Sequence, residues 1–434
     1  MNRPERRNPW AWIPSLYFAE GLPYVVVLTV SVIMYKRLGI SNTDIALYTS
    51  WLYFPWVIKP LWGPVVDLVR TKRLWIIVLQ LVIGASLASV ALTIPVPGFF
   101  RATLAVLWLM AFSSATHDIA ADGFYMLGLR EHEQAAFVGV RSTFYRIAMV
   151  TGQGVLVVVA GTLETYTGDT KFAWSVTFGI LAAMFIVFGV YHKFMLPFPA
   201  SDAQVRSGHE RSPVAEFFEV FAAFFRKPRI YSIIAFLLLY RFAESQLIKL
   251  VSPFLLDPRN EGGLGLTTSE VGIVYGTVGI IALTLGGLVG GFVIPRRGLK
   301  FWLWPMVVIM HLPDLMFVYL SQAQPSNFIL INVAVATEQF GYGFGFTAYA
   351  LYMIMVSEGD HRTAHYAICT GIMALGMMLP GMASGALQEW LGYPKFYLWV
   401  MLSTIPGFIV TALIKIDNDF GKRPRESQDE TSTG

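Results

Sequence analysis

Twelve apolar runs, each about long enough to cross the roughly 30 Å hydrocarbon core of a bilayer, take up most of this chain. They fall near residues 10–35, 43–67, 74–94, 102–129, 134–160, 172–196, 229–256, 268–294, 300–321, 326–355, 363–388 and 395–416. A backbone surrounded by lipid has to satisfy its own hydrogen bonds, so runs of this length fold as helices. Composition agrees: 55% of the 434 residues are hydrophobic and 14% are charged, against roughly 25% charged in soluble domains. The expected fold class is an all-α membrane protein with twelve transmembrane helices in two pseudo-symmetric six-helix bundles.

Charge fixes the expected orientation. Sorted by loop, twenty-one of the 32 Lys and Arg fall on one side, six on the other and five inside spans. By the positive-inside rule both termini belong in the cytoplasm. The net charge of +4 is then a matter of topology and calls for no nucleic-acid partner. The basic start, Arg3, Arg6 and Arg7, leads into an apolar segment too long for a signal h-region and without a small-residue cleavage site, so it reads as the first span. A single cysteine, Cys369, excludes an internal disulfide, and neither metal-ligand spacing nor a redox motif is present.

The chain divides six and six around one long polar stretch. Residues 1–196 form the expected N-terminal bundle and 197–228 a cytoplasmic linker, whose second half, Val214 to Phe225, reads as an amphipathic surface helix. Residues 229–416 form the C-terminal bundle, and the polar tail 417–434 reads as disordered. A weak internal repeat supports the division. FAEGL at Phe18 to Leu22 returns as FAESQ at Phe242 to Gln246, and Tyr125-Met126 returns as Tyr352-Met353. Duplicated halves of this kind pack around a site near the midplane.

Charged residues inside the spans are the candidates for that site. The sequence places Lys59, Arg141, Arg146, Arg241 and Lys249 there, against Glu20, Asp118, Asp122, Glu244, Asp314 and Glu338. Left unpaired, so many charges would cost roughly 30 kcal/mol to insert, more than the net stability of a domain. Most must be paired or wet. Asp118 and Asp122 lie at i and i+4 on one face of the fourth span, with Tyr125 about one turn on. Depth suggests Asp118 with Arg146, Asp122 with Arg141, Arg241 with Glu244, and Lys59 with Asp67. Each charge has two readings, a helix-locking ion pair or a direct part in handling substrate or protons. For Asp122, Arg141, Lys59 and Asp67 the ion pair is the expectation. For Glu20, Asp118, Arg146, Arg241, Glu244 and Glu338 it is direct handling. His117 is open between a relay and a hydrogen bond to a neighbouring helix. Tyr24, Tyr125, Tyr145 and Tyr349 share helices with these charges and are expected at the cavity.

The glycines GxxxGGxxxGG near Gly279 sit inside a span with no strand before them. They read as close helix packing and not as a phosphate loop. Gly341, Gly343 and Gly345 read as a bend in the tenth span, and Pro380-Gly381 as another in the eleventh. No nucleophile-base set is present.

The loop after the second span, WGPVVDLVRTKR from Trp62 to Arg73, resembles the GxxxDxxxR[KR] loop of the major facilitator superfamily. In that reading Asp67, Arg70 and Arg73 latch the cytoplasmic ends of neighbouring helices. Longer stretches, FAEGLP at Phe18 to Pro23, KPLWGPVVD at Lys59 to Asp67, AFSSATHDIAAD at Ala111 to Asp122, YRFAE at Tyr240 to Glu244 and TEQFGYGFG at Thr337 to Gly345, resemble the AmpG-type muropeptide permeases of that superfamily. The resemblance runs from about residue 10 to 415. It implies proton-driven import of anhydro-muropeptides or related amino-sugar and peptide solutes across a bacterial inner membrane, by a monomer without a cofactor. It also implies that Lys59, Asp118, Asp122, Arg146, Arg241, Glu244 and Glu338 form the polar set. Glu20, His117 and Asp314 depart from the family pattern, and two spans present in some members are missing here. A siderophore or acyl-CoA carrier of the same branch is the alternative within transport, and a membrane receptor or enzyme without net flux the alternative outside it.

The expected roles are then as follows. Substrate binding falls to Glu20, Tyr24, Tyr125, Tyr145, Arg146, Arg241, Glu338 and Tyr349. Proton coupling falls to Asp118, Glu20, Glu244 and His117. Structural pairing or gating falls to Lys59, Asp67, Arg70, Arg73, Asp122 and Arg141.

Overall fold

Ten of the expected spans fold as helices both long and apolar enough to cross a membrane in the computed structural model. It describes residues 7–200, 202, 213–359 and 361–422, without the side chains of 64, 65, 67, 68, 131 and 213–217. The ten are α1 (Pro9–Arg37), α3 (Lys72–Thr93), α4 (Phe99–Gly128), α5 (His132–Thr167), α6 (Thr170–Met195), α8 (Thr268–Arg297), α9 (Leu299–Ala323), α10 (Phe328–Ser357), α11 (Arg362–Leu391) and α12 (Tyr393–Leu413). The remaining two are interrupted. In α2, Asn42–Trp51 is followed after two residues by Phe54–Val69. Pro55 lacks the N–H that would continue the ladder across that break. In α7, Ile230–Leu239 gives way at Tyr240 and Arg241 to Phe242–Leu256. Twelve spanning helices result, as the apolar runs require.

Helix ends follow from local chemistry. Asp169 caps α6 by accepting from the Phe172 N–H at 3.0 Å, and the Thr267–Glu270 capping box starts α8. Asp202, in the linker, accepts from the N–H groups of Lys72 and Arg73 at 2.8 and 3.2 Å, which caps α3 from outside. Between α5 and α6 the chain reverses at Gly168, whose φ of 68° suits a residue without Cβ.

Within each half the helices pack pairwise: α3 lies against α4 and α6, and α1 against α5; in the second half α10 lies against α8 and α9. The halves meet along α2 against α11 and along α5 against α8. Glycines permit the second contact. A Cβ on Gly276 would stand 2.0 Å from the Gln153 carbonyl oxygen, and one on Gly161 2.3 Å from the Ser269 nitrogen. Both helices carry a π-helical stretch at the crossing, Thr151–Val155 and Gly272–Gly279. Outward, Val187, Leu288, Phe292 and Ile329 are more than half exposed, the apolar girdle a bilayer requires.

Three expectations change. Gly341, Gly343 and Gly345 do not bend α10, which is one unbroken helix. They admit its neighbours instead: a Cβ on Gly341 would stand 2.3 Å from the Ile309 oxygen of α9, and one on Gly343 2.0 Å from the Leu283 oxygen of α8. The helix of α11 likewise continues through Pro380 and Gly381. The start of the polar tail folds back, with the Leu299 N–H donating to the Phe420 carbonyl at 3.0 Å and Lys300 Nζ to Asn418 Oδ1 at 2.5 Å. The rest of that tail, 423–434, and the polar linker segment 203–212 lie outside the described residues. The amphipathic linker helix spans Pro213–Phe225.

Candidate functional site

The segments at 70–73, 130, 193–229, 296–300 and 362 follow one another on one side of the spans and, with the two termini, carry 21 of the 32 Lys and Arg in the sequence, which makes this the basic face. A cavity of about 1020 Å³ opens between the halves toward that face. Its mouth is bordered by Lys72, Met126 and Leu127 of the first half, by Thr363 and Tyr366 of α11, and by Val220 and Phe221 of the linker helix. Deeper, it is walled by Tyr24, Tyr53, Trp56, Tyr275, Tyr342 and Phe346, with Lys59, Asp118, Asp122 and Arg241 as its charged groups. Tyr24 and Trp56 meet edge to face at 5.2 Å.

The opposite face is shut by contacts between the halves. Lys36 at the end of α1 forms an ion pair with Asp257 at the end of α7. Asp257 also accepts from the Tyr393 hydroxyl at 2.6 Å and from Asn42 Nδ2 at 3.3 Å. Asn42 donates to Gln388 Oε1 at 2.7 Å, the Thr43 hydroxyl to Glu389 at 2.6 Å, and the Thr268 hydroxyl to Glu164 at 2.6 Å. Arg37 reaches Glu164 at 3.0 Å. A Cβ on Gly385 would stand 2.1 Å from the Asn42 oxygen, so α11 and α2 touch there without intervening side chains.

Most of the expected polar set converges on the cavity, with different partners. Asp118 is paired with Lys59 and not with Arg146, because α2 and α4 are neighbours and Lys59 extends directly toward the carboxylate. The expected Lys59–Asp67 pair falls on the side chain of Asp67, which lies outside the described residues. Asp122 does meet Arg141, at 2.9 Å, and accepts from the Tyr17 hydroxyl at 3.1 Å. The Arg141 guanidinium lies over the rings of Tyr17 and Tyr125 at 4.6 and 5.3 Å. Glu20 is buried, with a carboxylate oxygen within 4.8 Å of those of Asp118 and Asp122.

In the second half Arg241 donates to the Tyr342 hydroxyl instead of pairing with Glu244. Its guanidinium also lies 5.0 and 5.1 Å from the ring centres of Tyr342 and Phe346. Glu338 lies behind the wall, accepting from Gln339 Nε2 at 3.0 Å, and Gln339 itself faces the cavity. Glu244, Asp314 and Glu338 are all buried and gather their carboxylate oxygens within 4.8 Å of one another.

Several expected residues lie elsewhere. Tyr349 is fully buried, stacked on Tyr240 at 5.3 Å and donating to the Leu237 carbonyl at 2.6 Å, so it belongs to the core and not to the cavity wall. Tyr125 donates to the Gln134 carbonyl on the far side of Arg141. His117 turns from the cavity into a buried chain, with Nε2 3.0 Å from Gln80 Nε2. There Gln80 Oε1 meets His192 Nδ1 at 2.8 Å and His192 Nε2 meets the Ser15 hydroxyl at 2.9 Å. Arg146 is half-buried, with a nitrogen 3.7 Å from Met149 Sδ. Tyr145 packs by its ring and carbonyl against Gly21. In the basic loop Arg70 is exposed, while Arg73 binds the carbonyls of Lys193 and Leu196 at the end of α6 and lies 3.8 Å from the centre of the Phe198 ring.

Sequence reasoning missed Tyr53, Trp56, Tyr275, Gln339, Tyr342 and Phe346. Spacing held the signal for two of them, since Tyr342 and Phe346 follow Glu338 at four-residue intervals on one helical face.

The model of the Major Facilitator Superfamily matches residues 15–362. The chain is 24% identical to the putative transporter AmpG 4 of Rickettsia conorii, over 91% of this chain and 94% of that protein. It is also 24% identical to the anhydromuropeptide permease of Escherichia coli, over 91% of this chain and 77% of that one. Its backbone matches the crystal structure of the nucleoside transporter NupG with a TM-score of 0.68 at 18% identity, covering 93% of this chain and 98% of that one, a likeness of fold alone. With the family model spanning most of its length, and a central cavity between two six-helix halves, the chain belongs to the Major Facilitator Superfamily of membrane transporters.

Proposed function

We propose that the chain is a proton-coupled importer of anhydro-muropeptides or closely related amino-sugar and peptide solutes. In this reading the basic face is cytoplasmic, both termini lie inside, and the membrane is a bacterial inner membrane. The two bodies that rock against each other are residues 1–196 and 229–416, joined by 197–228. The observation that carries the reading is the cavity of about 1020 Å³, open on one face and latched on the other. Its volume is at the upper end of small-molecule sites, about 300 to 1000 Å³, so a sugar bearing a short peptide fits. Tyr24, Trp56 and Tyr342 offer flat faces for sugar rings, and Arg241 and Lys59 offer charge for peptide carboxylates. The names of the relatives support the same solute class.

The Lys59–Asp118 pair supplies the coupling. A proton taken up by Asp118 weakens its hold on Lys59 and frees the ammonium for the substrate, so that cargo and proton enter together. Glu20, beside Asp118, is a second carboxylate for the same proton. Purified protein in liposomes, given labelled anhydro-muropeptide and an inward proton gradient, should accumulate it. Asp118→Asn should abolish gradient-driven accumulation while leaving exchange across the membrane. Absence of uptake by the wild-type protein would refute the substrate class, and gradient-driven uptake by Asp118→Asn would refute the coupling.

A further inference from the structure

The two halves repeat an acid cluster but treat it differently. In the first, Glu20 of the FAE motif meets Asp118 and Asp122, and the cluster is compensated by Lys59 and Arg141 at ion-pair distance. In the second, Glu244 of the repeated FAE motif meets Asp314 and Glu338. Here, among the described residues, no Lys or Arg nitrogen lies within 4.0 Å of any of the three carboxylates. The nearest guanidinium, that of Arg241 one turn before Glu244, is turned to Tyr342. The three acids are at most 1% exposed.

Helix geometry holds them together. Pro313 sits in a tight turn, Leu312–Asp314, that interrupts α9 and delivers Asp314 toward α7 and α10. Gly341 and Gly345 bring α10 onto α9 at that level. Neither oxygen of Glu244 nor of Asp314 has a hydrogen-bond partner, and neither has Oε1 of Glu338. Among the described residues, the three carboxylates face one another with no Lys or Arg between them. They are close enough to share a metal ion: contacts of about 2.3 to 2.6 Å to one ion put oxygens at most about 4.6 to 5.2 Å apart, and these lie within 4.8 Å.

A second group points into the same space. His311 is 1% exposed, neither of its ring nitrogens has a hydrogen-bond partner, and Nδ1 stands 3.7 Å from Asp314 Oδ2. This buried imidazole adds a nitrogen donor, without a hydrogen bond of its own, to the carboxylate oxygens around that space.

We propose that Glu244, Asp314 and Glu338, with His311 beside them, form a binding site for a hard metal cation. Three carboxylates less the charge of Arg241 leave two negative charges to be met. A divalent ion meets both, and sodium meets one and leaves a single proton on the cluster. The route in runs past Gln339, which faces the cavity on one side and holds Glu338 on the other. The site stands apart from the substrate reading, since its three acids lie behind the cavity wall.

The test is thermal unfolding of the full chain in detergent, in choline chloride and then with sodium, calcium or magnesium chloride at equal ionic strength. At least one of the three should raise the midpoint by several degrees with saturation, because an ion that binds only the folded state stabilises it. Asp314→Asn and Glu338→Gln should each remove that shift, and Asp118→Asn in the first-half cluster should keep it. Binding of the radiolabelled ion to the wild-type protein should reach one per chain, a reading that survives if the variants do not fold. No shift with any of the three ions, a shift kept by both second-half variants, or binding well below one per chain would each overturn the site.

Discussion

The Lys36 ammonium rests on the Asp257 carboxylate, and this ion pair between the ends of α1 and α7 joins the two halves on the face opposite the cavity mouth. Asp257 is buried and takes two further donors, from Tyr393 and Asn42. Asp257→Asn removes the charge that holds Lys36 and turns one of the two acceptor oxygens into an NH2 donor, so the three donors can no longer all be met. Leaving buried donors unmet costs about 1 to 3 kcal/mol, roughly a 5- to 150-fold shift toward the state open on that face. A cysteine at Ser50→Cys, where α2 meets Gly381, should be labelled at least severalfold faster from that face in Asp257→Asn. Equal rates would show that the latch lies elsewhere.

Lys59 and Asp118 should reveal their dependence in a double-mutant cycle. Taking away one partner strands the other charge in a mostly apolar wall, while replacing both leaves none. Lys59→Met and Asp118→Asn should each lower the unfolding midpoint more than the double variant does. A coupling of about 1 kcal/mol or more is expected. Additive losses would mean that the two groups do not depend on each other.

Tyr349→Phe separates core from cavity. It removes the hydroxyl that bonds the Leu237 carbonyl and nothing that faces the substrate space. Stability should fall by about 0.5 to 1.5 kcal/mol, with substrate affinity unchanged. A tenfold loss of affinity in equilibrium binding would return Tyr349 to the site.

Gly276→Val places a branched side chain where even a Cβ would come within 2.0 Å of the Gln153 oxygen. Backbone must move to admit it, so the midpoint should fall by more than the about 1 to 3 kcal/mol typical of overpacking. Gly291→Val, on the same helix with nothing within 4 Å of a Cβ, should leave it unchanged. The two variants differ only in what faces them, and like behaviour in both would deny α5–α8 the close contact described.

What could be read from the sequence depended on how local the cause is. Apolar length set all twelve spans, and charge alone picked out Asp118, Asp122, Arg241 and Glu338 as groups of interest within them. Even the Asp122–Arg141 pair followed from depth. Partners across helices did not follow in general. Whether Asp118 meets Lys59 or Arg146 is decided by which helix lies next to α4, and that depends on packing of the whole bundle. Tyr349 shows the same limit, because a tyrosine one turn from a cavity face and one in the core look alike in a linear pattern. The gathering of Glu244, Asp314 and Glu338 needed three helices and a proline turn in α9, none of which is visible from the spacing of the acids.

Where α5 crosses α8, main chain bears on main chain, with Gly154, Gly161 and Gly276 supplying no projections. Glycine at these contacts leaves few projections to be displaced, so the crossing can serve as a fulcrum for the rocking proposed above. Displacement then grows with distance from it, and is largest where the chain passes from one half to the other. In the proposed rocking, the 32 residues of 197–228 are long enough to span those ends as they part.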